Sequence, residues 1–215
     1  MHGMHESRSA VAPHPLAAGT MLHLRHAIAA DHLAIEALPM SQALVGGHIR
    51  LDAYLALLHD LAPIHAAIED RVDADPVLAH LFDGPLIRRH GPLAADTARW
   101  AAPPSPPSAA ALRLVEWVCA CSADEAVGAC YVIAGSCLGA AVLAPRLARA
   151  FDVPCAAGAG LDYQFIPPPI LGAAWQRVKE RLDAWGSTGG RQEAACDGAR
   201  AMMRGLRAVY GGRPP

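Results

Sequence analysis

Tyr131-Val-Ile-Ala-Gly135-Ser-Cys-Leu-Gly139-Ala-Ala-Val142 is the stretch on which the fold turns. Its apolar residues do not alternate as in a half-buried strand, and the run is too long for one buried strand, so it predicts a helix. Two glycines interrupt it, and Gly128 lies seven residues before Gly135. Each glycine costs a helix roughly 1 kcal/mol relative to alanine. Residues at i, i+4 and i+7 share a helix face, so the three glycines are expected to form one stripe of bare backbone. Another helix or a planar ligand should lie flat against it.

Upstream, Ser122-Ala-Asp-Glu125 has the spacing of a capping box and fixes where this helix starts. The helix should run toward Phe151, with a kink at Pro145. Before it, helices are expected over 20–38, from Ser41 past Leu61, near 78–82, from Pro85 through a break at Gly91-Pro92 to Trp100, and over 109–121. Pro63 should kink or interrupt the second of these, and Pro103-Pro-Ser-Pro-Pro107 reads as a stiff exposed linker. After it, 154–169 reads as loop, followed by helices over 170–185 and 192–210. The chain is thus expected to be an all-α compact bundle of roughly seven or eight helices, with no βαβ pattern. Its parts are a flexible head over 1–18, one domain over 19–210 and a frayed tail over 211–215.

Composition agrees with this class. Of 215 residues, 53% are hydrophobic, 18% charged and only 5% aromatic, which suits a well-buried helical domain. The formal charge of −2 provides no basic field for nucleic acid. The N-terminus lacks the order of a signal peptide, and Arg and Asp residues after Pro145 break the longest apolar run short of a membrane span. A cytoplasmic protein with no membrane partner is expected. The six cysteines form no CxxC pair and read as free thiols, several of them buried. His2, His5 and His14 fall in the head, without cysteine partners. No GxSxG, Walker loop, HExxH or GxGxxG motif occurs.

His32 sits between Ile28 and Ile35 on the apolar stripe of the first helix, with Arg25 seven residues earlier on the same face and Glu36 one turn later. Such a histidine is either a core residue or a metal ligand whose second ring nitrogen is held by Glu36. A flat ligand needs an open backbone, one ligating side chain and a cation for its polar edge. Gly135 and Gly139, His32 and Arg25 offer these, and a haem sandwiched between the two helices would use all of them.

Leu24-Arg-His-Ala-Ile-Ala-Ala-Asp-His32-Leu-Ala-Ile-Glu36 resembles the proximal-histidine motif of heme oxygenases. Glu125-Ala-Val-Gly128-Ala-Cys-Tyr131-Val-Ile-Ala-Gly135-Ser-Cys-Leu-Gly139 resembles their distal helix, above all in the bacterial, phytochrome-associated branch. Arg89-His-Gly-Pro-Leu93-Ala-Ala-Asp96 and the helix around Trp175 resemble later segments, so the likeness runs in order from about Leu22 to about Tyr210.

The resemblance implies a heme-oxygenase-like bundle with haem as both substrate and cofactor. Haem would be cleaved at a meso carbon to biliverdin, carbon monoxide and ferrous iron, using O2 and electrons from an external ferredoxin or reductase. A phytochrome could receive the biliverdin. It implies His32 as axial ligand to the iron, Glu36 as its partner, Arg25 against a propionate, and Gly135, Ser136 and Gly139 on the distal side. The second propionate partner lies among Arg177, Lys179 and Arg181. Three positions depart from the family pattern: Ile28, Ser136 and Ala140. They motivate an alternative, a haem carrier or sensor that does not turn over. A third reading is a structural bundle in which His32 is core and the glycines only pack helices.

Overall fold

A computed structural model describes residues 19–101, 103, 105–188 and 190–215. The head and part of the proline linker, with their expected flexibility and stiffness, lie outside the described residues. Nine helices and no strand occur among those described: α1 Thr20–Glu36, α2 Pro39–Gly46, α3 Leu51–Ala74, α4 Pro76–Leu81, α5 His90–Arg99, α6 Ala109–Ala120, α7 Ala123–Ala150, α8 Pro168–Ser187 and α9 Gln192–Gly211.

Local chemistry sets most boundaries. Pro39, Pro76 and Pro168 occupy first helical positions, where a missing N–H costs nothing. The Asp75 carboxylate caps α4 by accepting from the N–H groups of Val77 at 2.8 Å and Leu78 at 3.3 Å. The Ser122–Glu125 capping box is formed in both directions at the start of α7.

Several expectations are corrected. Ser41 does not cap a helix: it is buried inside α2, which Pro39 starts and left-handed Gly47 ends before α3 begins. Pro63 and Pro145 both lie inside continuous helices. Each removes one hydrogen bond, but buried residues on both sides, Leu61 and Ile64 around Pro63 and Ala144 and Leu147 around Pro145, hold the chain in helical register. The helix after Pro85 begins only at His90, with Gly91-Pro92 in its first turn and not at a break. By length and composition α7 is able to cross a membrane, contrary to the sequence reading. In its most apolar window, however, 61% of the residues are buried in the bundle, so core packing accounts for its composition.

The core is continuous, with Leu24, Tyr54, Ile64, Phe82 and Leu182 wholly buried. Each such side chain contributes roughly 1.5–3 kcal/mol through burial. All six cysteines are free, and four of them are buried. The tail is tied down at Arg213, whose guanidinium donates to the fully buried Asp60 carboxylate at 2.6 and 2.9 Å, where the sequence suggested fraying from Gly211.

One arrangement positions the site. Along α1, Thr20 meets Gln192, Ala27 accepts from Arg200, and Leu38 reaches Gly211, so α1 and α9 run parallel. Along α7, Asp124 pairs with Arg191, Gly128 abuts Ala195 and Ala199, and Gly139 shares a cavity wall with Tyr210, so α7 also runs parallel to α9. Both helices pack along α9 and make no extended contact with each other. α1 and α7 thus stand as two walls on a shared floor, α9, with α2 and α8 touching both, and the space between them is the candidate cleft.

Candidate functional site

Equal rise per residue makes α9 a ruler between the walls. The step from Ala27 to His32 matches that from Arg200 to Gly205, so His32 stands about level with Gly205. Reckoned from Gly128 and from Gly139, Gly205 is about level with Gly135 on the other wall. His32 therefore stands at about the height of Gly135, and Gly139 is one turn further along.

Burial raises the Tyr131 hydroxyl pKa and the charge of Arg25 opposes that rise, so the Arg25 guanidinium lies within electrostatic reach of Tyr131 on α7. His32, seven residues on, shares its face. The His32 side chain is 59% exposed, which removes the core-histidine reading. Its Nδ1 lies 3.4 Å from Glu36 Oε1, a long contact that orients the ring and leaves Nε2 free.

The glycine stripe divides into three parts. A Cβ on Gly128 would overlap the Ala195 carbonyl oxygen, and one on Gly198 the Glu125 carbonyl, so these glycines let α7 and α9 touch backbone to backbone. Gly135 faces the Trp175 ring of α8, 3.6 Å from where a Cβ would stand, and Trp175 in turn packs against Tyr131. At Gly139 a Cβ would meet nothing within 4 Å. Leu138 and Val142 are 40% and 52% exposed. Gly135, Leu138, Gly139 and Val142 follow i, i+3, i+4, i+7 spacing, and form an apolar face that the protein leaves largely uncovered. Ile28, one of the departing positions, is buried.

Of the three candidate cations on α8, Arg181 is committed elsewhere, donating to Asp83 Oδ1 at 2.6 Å and the His80 carbonyl at 2.7 Å. Lys179 is half-buried one turn after Trp175 and so on the same face, whereas Arg177 is exposed.

Ser136 and Ala140 belong to an adjoining surface. They line a cavity of about 80 Å³ with Gly139, Arg89, Tyr163 and Gln164. Ala140 thus sits in the cavity wall and not on the uncovered face. The Ser136 hydroxyl donates to the Ile133 carbonyl at 2.7 Å, so its proton is spent within its own helix.

The far wall of this cavity escaped the sequence reading. Tyr163 and Gln164 fall in the loop between α7 and α8, where no periodicity relates them to Gly139. Asp96, fully buried in α5, accepts from the N–H groups of Asp162 at 2.7 Å and Tyr163 at 2.9 Å, and burial pushes its carboxyl up to about 6. Arg89 donates to the carbonyls of both Asp162, at 2.7 Å, and Tyr163.

The geometry can hold a flat, apolar molecule with an acidic edge and one ligand-accepting centre. The comparisons with known proteins agree. The family model described as heme oxygenase matches residues 20–209. No curated protein matches the sequence itself. Among solved structures, heme oxygenase from Leptospira interrogans superposes with a TM-score of 0.80 at 17% identity, covering 91% of this chain and 100% of that one. Heme oxygenase-1 of the cyanobacterium Synechocystis, solved with heme, gives 0.77 at 16% identity, covering 91% and 92%. Heme oxygenase-2 of the same organism, solved with heme and NO, gives 0.80 at 16%, covering 90% and 84%. At these identities the neighbours establish the fold, and the family match spans nearly all the described chain: this protein belongs to the heme oxygenase family.

Proposed function

We propose that the chain binds haem in the cleft between α1 and α7 and cleaves it at a meso carbon to biliverdin, carbon monoxide and ferrous iron. The observation that carries this reading is the exposed His32 at about the height of Gly135, beside an apolar face left open at Gly139. The residues fit the group: His32 Nε2 would hold the iron, the apolar face from Gly135 to Val142 would lie along the ring, and Arg25 and Lys179 would pair with its carboxylates.

When bound, haem supplies the iron that binds and reduces dioxygen. The protein contributes orientation. Glu36, whose carboxylate stands 3.4 Å from Nδ1 of His32, is placed to accept the Nδ1 proton and so set the tautomer that a neutral ligating imidazole needs. Arg25 and Lys179 fix rotation within the cleft by pairing with the carboxylate edge. The absence of a side chain at Gly139 lets backbone approach the reacting edge, and Trp175 fences the Gly135 side, so helix position selects the carbon attacked. Electrons would come from a separate ferredoxin or reductase, and a phytochrome is the acceptor that the sequence resemblance suggests for biliverdin.

Haem titration of the full chain, followed by O2 and reduced ferredoxin or ascorbate, tests this. A saturable Soret band that bleaches as biliverdin absorption grows is the expected result. A Soret band that persists in air supports the carrier or sensor reading, which the spent Ser136 hydroxyl favours. No saturable band at all refutes both.

A further inference from the structure

The cavity beside Gly139 has an unusually well-braced polar wall. Tyr163 is clamped through its backbone by Asp96 and Arg89, and the Arg89 guanidinium lies over its ring, 5.7 Å from the centroid. Its hydroxyl is 2.9 Å from His65 Nε2. His65 is 1% exposed, and its Nδ1 has no partner.

With the cavity empty, each tautomer leaves one donor unpaired: Nδ1–H when the phenol donates to Nε2, and the phenol O–H when Nε2–H donates. An acceptor in the cavity selects between them: Nε2–H donates to the Tyr163 oxygen, the phenol donates to the acceptor, and only a lone pair on Nδ1 is left unused. Burial holds that hydroxyl well above the usual tyrosine pKa, so the proton stays. Tyr163 lines the cavity shared with Gly139, and Arg89, 4% exposed, lines it too with its Nε unpartnered. The donor that Ser136 cannot be is thus available from the opposite wall.

We propose that Tyr163 is the hydrogen-bond donor to small ligands bound on the Gly139 side of the haem, with His65, Arg89 and Asp96 as its positioning residues. This rests on the haem reading of the cleft. The test uses the full chain loaded with haem and two probes: azide, a good hydrogen-bond acceptor, on the ferric form, and carbon monoxide, a poor one, on the ferrous form. Tyr163→Phe should weaken azide about tenfold, as loss of one charge-assisted hydrogen bond requires. Carbon monoxide affinity should change less than about twofold, with the Soret titration unaltered. His65→Leu should lose part of the azide affinity, and His65→Gln, whose amide N–H replaces Nε2–H, should restore it.

Unchanged azide binding in Tyr163→Phe overturns the proposal. So does equal weakening of both probes, which marks a disturbed cleft, or full loss in Gln164→Leu with Tyr163→Phe silent. If the wild-type chain takes up no haem, the haem reading fails and this proposal with it. If haem binds through His32 and azide ignores Tyr163, this proposal alone fails.

Discussion

Gly128 and Gly139 lie on one helix, yet their substitution should move stability in opposite directions. Gly139→Ala places a methyl where nothing stands within 4 Å, so only helix propensity changes. That gain is roughly 1 kcal/mol, or about 2–4 °C in Tm for a domain of this size. Gly128→Ala drives a methyl into the Ala195 carbonyl and close to the Ala199 N–H, backbone atoms that cannot swing aside. Overpacking costs about 1–3 kcal/mol, which exceeds the propensity gain and separates α7 from α9. Urea and thermal unfolding of the haem-free variants measure both signs. Gly139→Leu adds the functional arm: the helix stays stable, but a branched side chain on the open face should weaken haem at least about tenfold, some 1.4 kcal/mol. If Gly139→Ala destabilises as Gly128→Ala does, the open face is covered and the cleft has been misplaced. Normal haem binding by Gly139→Leu would equally refute the distal assignment.

His32→Ala should abolish the histidine-ligated Soret spectrum while leaving unfolding within about ±0.5 kcal/mol, because the side chain is 59% exposed; a large loss of stability would return His32 to the core. Arg213→Ala leaves the Asp60 carboxylate buried and unpaired, and should cost about 3–5 kcal/mol in urea unfolding. Asp60 is held below the usual carboxylate range even though its burial pushes upward, because Arg213 and the Ser108 N–H outweigh that push. Its contribution is present above about pH 4 and fades as pH falls through the depressed value, a loss that Arg213→Ala should no longer show. His65 is lowered from 6.5 to about 3, first by burial and then by Arg89 and His90. The unfolded chain therefore binds the proton first, and stability should fall by about 1.4 kcal/mol per unit below pH 6.5. His65→Gln should flatten that slope between pH 6.5 and 5; an unchanged slope assigns it elsewhere.

Much of the fold was legible because helix signals are local. The Ser122–Glu125 box and the spacing of α7 and α9 each act within a turn or two. The prolines misled where distant packing intervened: α3 and α7 run through Pro63 and Pro145 because neighbouring helices hold the residues around them. In the site, sequence singled out His32, Glu36, Arg25, Gly135 and Gly139 from their own helices, the needs of a flat ligand joined the two groups, and family resemblance assigned their roles.

Only tertiary structure could show that α1 and α7 stand parallel on α9 without closing on each other, since that gap is a property of three helices and not of any one. The same packing separated Gly128, pressed against Ala195, from Gly139, left open, although both look alike on a helical wheel. It removed Arg181 from the cleft by pairing it with Asp83. It also brought His65, Arg89 and Tyr163 together from three distant segments. Periodicity fixes which face a residue occupies, and the packing of other elements determines what that face meets.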